Sequence, residues 1–122
     1  MAKILIAGNN CAELRLLTDI FKDARHDIIT AADGEEAELK GRTEAVDMII
    51  MDIILPKKNG FQVCRELRAD KKLSDIPIIM INSKDQKSDQ AWGLKQGATE
   101  YIIKPFTTLD LLLAVKKHLK KT

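Results

Sequence analysis

At 122 residues, with 20 Lys and Arg against 18 Asp and Glu, the chain carries a formal charge of only +2. That field is too small to steer nucleic acid or an anionic membrane, and no stretch approaches the ~20 apolar residues of a spanning helix. Apolar residues make up 45% and charged ones 31%, a balance suited to one globular domain over residues 1–122, expected to be cytoplasmic because no basic and apolar leader precedes the first strand.

The first strand is predicted over Ile4 to Ala7 and stops on Gly8-Asn9-Asn10 before a helix carrying Leu14, Leu17, Ile20 and Phe21. Such strand-to-helix corners are where α/β proteins bind phosphates, metals and cofactors. Asn10 with Glu13 has the spacing of a helix cap and its acidic partner, as do Asp33 with Glu36 and Thr107 with Asp110 further on. Cys11 and Cys64 stand far apart and in no CxxC, so they read as two small buried hydrophobes rather than a disulfide or zinc pair. His26 and His118 have no ligand-spaced partners.

Ile28 to Ala31 predicts the second strand, and the helix after it places Ala37 and Leu39 on its apolar side and stops at Gly41. Val46 to Met51 predicts the third strand, which ends on Asp52. The loop IILPKKNG then runs through a Pro56 turn to Asn59-Gly60 before a helix with Val63 and Leu67. Lys57 and Lys58 in that loop read as solvated charges. Ile76 to Ile81 predicts the fourth strand, ending on Asn82-Ser83, followed by a helix with Ala91 and Leu94 that closes at Gly97 with a left-handed cap. Trp92 on this helix suits either packing or a partner surface. Tyr101 to Ile103 predicts the fifth strand, and the Lys104-Pro105 bond behind it suits a cis peptide. The last helix turns Leu112, Val115 and Leu119 to the core, and the KKHLKK run complements its dipole. Met48, Met51 and Met80 read as core filler.

Five βα units in succession predict a doubly wound α/β domain, a parallel sheet with helices on both faces and right-handed crossovers. The carboxyl ends of the strands share one edge, and ligands of such sheets bind there. Gly8, Asn9, Asn10, Asp52, Asn82, Ser83 and Lys104 therefore converge. A carboxylate behind an apolar strand, facing Lys104, reads as a site rather than a cap.

Over its whole length the chain resembles the receiver domains of bacterial two-component response regulators. The resemblance is carried by KILIAGNN, AADGEEA, VDMIIMDIILPKKNGFQVCRELR and IPIIMINSKDQKSDQAWGLKQGATEYIIKPF. The SKDQKSDQAWGLKQGA segment is further similar to single-domain receivers of twitching-motility and chemosensory systems. The resemblance implies a flavodoxin-like sheet of five parallel strands in the order 2-1-3-4-5. It implies that Asp52 stands at the phosphoacceptor position, Lys104 at the phosphate partner, Asn82 at the Thr or Ser switch position and Tyr101 at the aromatic switch. It also implies a non-enzymatic module whose partner, a histidine kinase or another signalling protein, meets the fourth helix, fifth strand and fifth helix.

The departures are Gly8 and Asn9, in the metal pocket that the resemblance implies from Gly8, Asn9, Asp52 and the backbone of Ile54, and Asn82, where the family carries a hydroxyl. The two positions that are acidic in the family are Gly8 and Asn9 here. Mg²⁺ demands octahedral oxygen ligation and is usually held by one or two carboxylates, waters and the phosphate. Two unit charges ~4 Å apart are worth roughly 4 kcal/mol at an effective dielectric near 20, so losing two carboxylates beside a divalent ion weakens the site by orders of magnitude. The favoured expectation is a pseudo-receiver with no cofactor, or with Mg²⁺ bound only weakly, acting by protein contact. The alternatives are a working Asp52 phosphoacceptor and, remotely, a flavodoxin-like binder of a small anion at the Gly8-Asn9-Asn10 corner.

Overall fold

In the computed structural model, which describes residues 2–82 and 87–119, strands and helices alternate along the chain. They are β1 (Lys3–Ala7), α1 (Cys11–Asp23), β2 (Asp27–Ala31), α2 (Gly34–Thr43), β3 (Met48–Asp52), α3 (Gly60–Arg68), β4 (Ile78–Asn82), α4 (Lys87–Lys95), β5 (Glu100–Ile103) and α5 (Thr108–His118). A single 3-10 turn at Lys71–Leu73, which periodicity did not signal, joins α3 to β4. All neighbouring strands pair in parallel, in the order β2-β1-β3-β4-β5. The five-stranded, flavodoxin-like architecture expected from the sequence is therefore the one observed.

Strand periodicity decides which side chains meet which helices. Ile4 and Ile6 of β1, Met48 and Ile50 of β3 and Ile79 and Ile81 of β4 face one layer, with Leu17 and Phe21 of α1 and Leu111 and Val115 of α5. Their alternates Leu5, Ile49, Met51, Ile78 and Met80 face the other, with Ala37 of α2 and Val63 and Leu67 of α3. Two-sided burial explains the near-continuous Ile and Met runs of β1, β3 and β4. Met48, Met51 and Met80 are fully buried, as expected.

The helix starts form as predicted. Asn10, Asp33 and Thr107 each accept a hydrogen bond from the backbone N–H three residues on, and Thr107 with Asp110 closes both bonds of a capping box. Gly97 has φ +110 and ends α4, a conformation that costs glycine little.

Four expectations about helices and cysteines need correction. Gly41 is not a stop but an interior residue of α2, where a side chain would press on Leu67 and Ile49; the helix runs on to Thr43. Leu39 lies on the solvent side of α2, because close packing of Gly34, Ala37 and Gly41 sets the inward stripe. In α4, Ala91 and Leu94 are exposed and Gly93 is the buried residue between them. Cys11 is exposed on the first turn of α1, whereas Cys64 is buried and its thiol is pushed up to about 11 by that burial.

The loop from β3 to α3 rests directly on α2. Pro56 accepts from the backbone N–H of Gly34 at 3.0 Å and from that of Lys58 at 2.8 Å, a γ-turn with Lys57 at φ +70. A Cβ on Gly34 would stand 1.9 Å from the carbonyl oxygen of Lys58, so only glycine allows this approach. Lys58 is not simply solvated: its ammonium bridges Glu38 of α2 at 2.6 Å and Glu66 of α3 at 2.8 Å.

Candidate functional site

The carboxyl edge of β1, β3, β4 and β5 brings together Gly8, Asp52, Asn82 and Lys104. Asp52 is the last residue of β3. The loop behind it turns back so that the Gly60 N–H donates to the Ile53 carbonyl at 2.7 Å, and a Cβ on Gly60 would stand 2.6 Å from Asp52's own carbonyl oxygen. Lys104 follows β5; its backbone N–H donates to the Asn82 carbonyl at 2.8 Å, and its bond to Pro105 is cis, as the sequence suggested.

The Lys104 ammonium lies 3.1 Å from Asp52 Oδ1 and 2.8 Å from Glu13 Oε1. One cation thus serves two carboxylates, from β3 and α1. Burial drives the Asp52 carboxyl upward; Lys104 opposes that and Glu13 reinforces it, leaving Asp52 at about 6. For Lys104, burial pulls downward, but its contacts with Glu13 and Asp52 outweigh it and hold the ammonium above its ordinary value.

Glu13 is the residue that sequence reasoning missed. It figured only as the acidic partner of the Asn10 cap, yet Asn10 takes the Glu13 backbone N–H at 3.0 Å while the Glu13 side chain turns to Lys104. The available signal was its place: the first turn of a helix that starts at the ligand-binding edge.

At the opening corner, Gly8 donates its N–H to Ala31 at 3.0 Å, and a Cβ there would stand 3.2 Å from Asp52 Oδ2. Asn9 is exposed and carries no charge, and Asn10 is engaged as the α1 cap. The Ile54 side chain is exposed beside the site. Among the described residues, no group of three or more His, Cys, Asp or Glu side chains is placed to hold a metal ion. Ser83 lies outside the described residues.

Asn82 is 4% exposed, and its amide donates to the Tyr101 hydroxyl at 3.0 Å. The two switch positions implied by the resemblance therefore touch. Beyond Tyr101, Trp92 and Leu94 of α4 and Leu109 and Leu113 of α5 are exposed, and Lys95 lies 5.9 Å from the centroid of the Trp92 ring. A groove of about 410 Å³ runs along β5 and α5, lined by Tyr101, Ile103, Phe106, Leu113 and Lys117 among others. No helix among the described residues is long and apolar enough to cross a membrane.

Comparison with known proteins agrees with this geometry. Residues 4–116 match the family described as the response regulator receiver domain. The chain is 37% identical to protein PilH of Pseudomonas aeruginosa over 115 residues, 94% of this chain and 95% of that one. It is 38% identical to the alkaline phosphatase synthesis transcriptional regulatory protein PhoP of Bacillus subtilis over 98% of its own length, and spans 49% of that protein. The solved chemotaxis response regulator CheY4 of Vibrio cholerae superposes with a TM-score of 0.92 at 29% identity, covering 98% of this chain and 99% of that one.

Proposed function

We propose that this chain, which belongs to the response regulator receiver domain family of two-component signalling, has lost or weakened Mg²⁺-dependent phosphorylation of Asp52 and acts by protein contact. One observation carries the reading. The Lys104 ammonium is already held between Asp52 and Glu13, while the corner that would add carboxylates offers Gly8 and Asn9 instead.

Mg²⁺ fits these residues poorly. Its octahedral shell draws on hard, charged oxygens, but Gly8 brings no side chain and Asn9 only a neutral amide. The one carboxyl among these positions, Asp52, is raised by burial to about 6 and is paired with an ammonium. Phosphoryl transfer depends on positioned positive charge around the transferring group. Here one ammonium supplies that charge and shares it with Glu13, so transfer to Asp52 is slow or absent.

The partner surface belongs to the same reading. Exposed Trp92 and Leu94 with the β5–α5 groove form an aromatic and aliphatic surface of the kind that protein interfaces use. A histidine kinase or another signalling protein is the partner class that suits it.

A second reading, a working phosphoacceptor, draws on Asp52 and Lys104 standing 3.1 Å apart at the strand ends. Intact mass after incubation with acetyl phosphate, with and without Mg²⁺ and with Asp52→Ala as control, decides between them. No adduct at Asp52 is the expected result. An adduct that needs both Mg²⁺ and Asp52 overturns the proposal in favour of the second reading.

A further inference from the structure

We infer that Glu13 is a tethered anion that locks the site: its carboxylate, carried in on α1, occupies the Lys104 ammonium and keeps it from a free or transferable phosphoryl group. The inference rests on the reading above and goes one step deeper, from a site that lacks charge at Gly8 and Asn9 to the residue that closes what is left.

Three contacts build the lock. Asn10 caps α1 by accepting the Glu13 backbone N–H at 3.0 Å, which fixes where the Glu13 side chain starts. From there Oε1 reaches the Lys104 ammonium at 2.8 Å, closer than the 3.1 Å between that ammonium and Asp52 Oδ1. Room for the approach comes from Gly8. A Cβ there would stand 3.2 Å from Asp52 Oδ2 and 3.3 Å from Leu14 Cδ2, so a side chain would crowd both Asp52 and the residue that follows Glu13. The bare backbone at position 8 and the reach of Glu13 are thus two halves of one arrangement.

The charges say what the contact does. One ammonium between two carboxylates leaves the cluster net negative when both are ionised, and the Lys104 and Glu13 side chains are each only 26% exposed, where salt screens less than on an open surface. An incoming anion must therefore take Lys104 from Glu13 and also face the Glu13 charge. Neutralising Glu13 alone leaves one ammonium to one carboxylate. Glu13 acts through Lys104 and is a positioning residue.

The probe is inorganic phosphate without Mg²⁺, titrated into the full chain at constant ionic strength and read on the Lys104 ¹³Cε signal, which Lys104→Met identifies by its loss. Glu13→Gln should move that signal at about tenfold less phosphate than the unaltered chain needs. Glu13→Ala should do at least as much, because it also removes the amide oxygen that glutamine could still offer the ammonium. Asp19→Asn takes the same charge from an exposed site on the same helix and should leave the titration unchanged. Equal phosphate sensitivity in the unaltered chain and both Glu13 variants overturns the lock. An equal gain from Asp19→Asn also overturns it, since net charge alone would then explain the effect. Intact mass after acetyl phosphate and Mg²⁺ separates the two levels. An Asp52 adduct in the unaltered chain that does not increase in Glu13→Gln overturns both the lock and the proposed loss of phosphorylation. An adduct that does increase there overturns only the loss and supports the lock.

Discussion

Helices α1 and α4 both follow a strand of the same sheet and start near its carboxyl edge, yet they are held in opposite ways. α1 buries Leu17 and Phe21 and half-buries Leu14 and Ile20, an amphipathic stripe that pins it to the sheet at β1 and β2. The described part of α4 turns Gly93 inward, against Tyr101, Met80 and Phe61 from other elements, and leaves Trp92 and Leu94 exposed. The two also reach the site differently: α1 by the charge of Glu13 on Lys104, α4 by the ring that Asn82 holds. An element that buries little of its own surface opens at lower free energy and leaves apolar area for a partner. The contrast thus separates a helix that carries stability from one that carries a surface.

The sharpest way to break the contrast is at Phe21, which is fully buried in the core layer that also holds Ile4, Ile6 and Leu111. Phe21→Ala should cost about 3–5 kcal/mol in denaturant unfolding, from lost burial plus the cavity left behind.

Next in size is pH acting through Asp52, whose carboxyl the Glu13 charge of α1 helps to raise. Asp52 rises from an ordinary 3.8 to about 6 on folding. The folded state then binds a proton that the unfolded chain has released. Its contribution is complete below about 4 and is lost as pH rises through about 6, a fall of about 3 kcal/mol at most. Asp52→Asn should remove that slope between pH 4 and 6 from a series of unfolding curves. Glu13→Gln should move the Asp52 carboxyl downward in a ¹³C titration, because the Glu13 charge raises it.

The smallest effect is expected on α4. Leu94 is 51% exposed, and Leu94→Ser should change unfolding free energy by no more than about 0.5 kcal/mol. It should still weaken capture of a kinase or other partner that uses this face. A loss of several kcal/mol would mean that α4 is seated by its own side chains after all.

Much of this was legible in the residues. Short, near-continuous apolar runs placed the strands, and Asn10, Asp33 and Thr107 placed three helix starts, because both signals act locally. Asp52, Lys104 and Asn82 were legible because parallel strands collect their last residues at one edge. Gly41 misled because a glycine late in a helix looks like a stop until the opposing element is known, and here Leu67 occupies the room it leaves. Glu13 was hidden because its side chain answers a lysine 91 positions later in the chain, a distance that no local pattern encodes. Lys58 was underrated likewise, since Glu38 and Glu66 lie on two different helices.

The close approach of Gly34 to the Lys58 carbonyl has a consequence for sequence variation. With 1.9 Å available where a first side-chain carbon would go, even alanine at position 34 must displace backbone that leads straight back to Asp52. In a saturation library sorted for folded protein, position 34 should hold glycine almost alone. Position 58 should drift more freely, because a carbonyl oxygen is common to every residue and only the ammonium bridge would be lost.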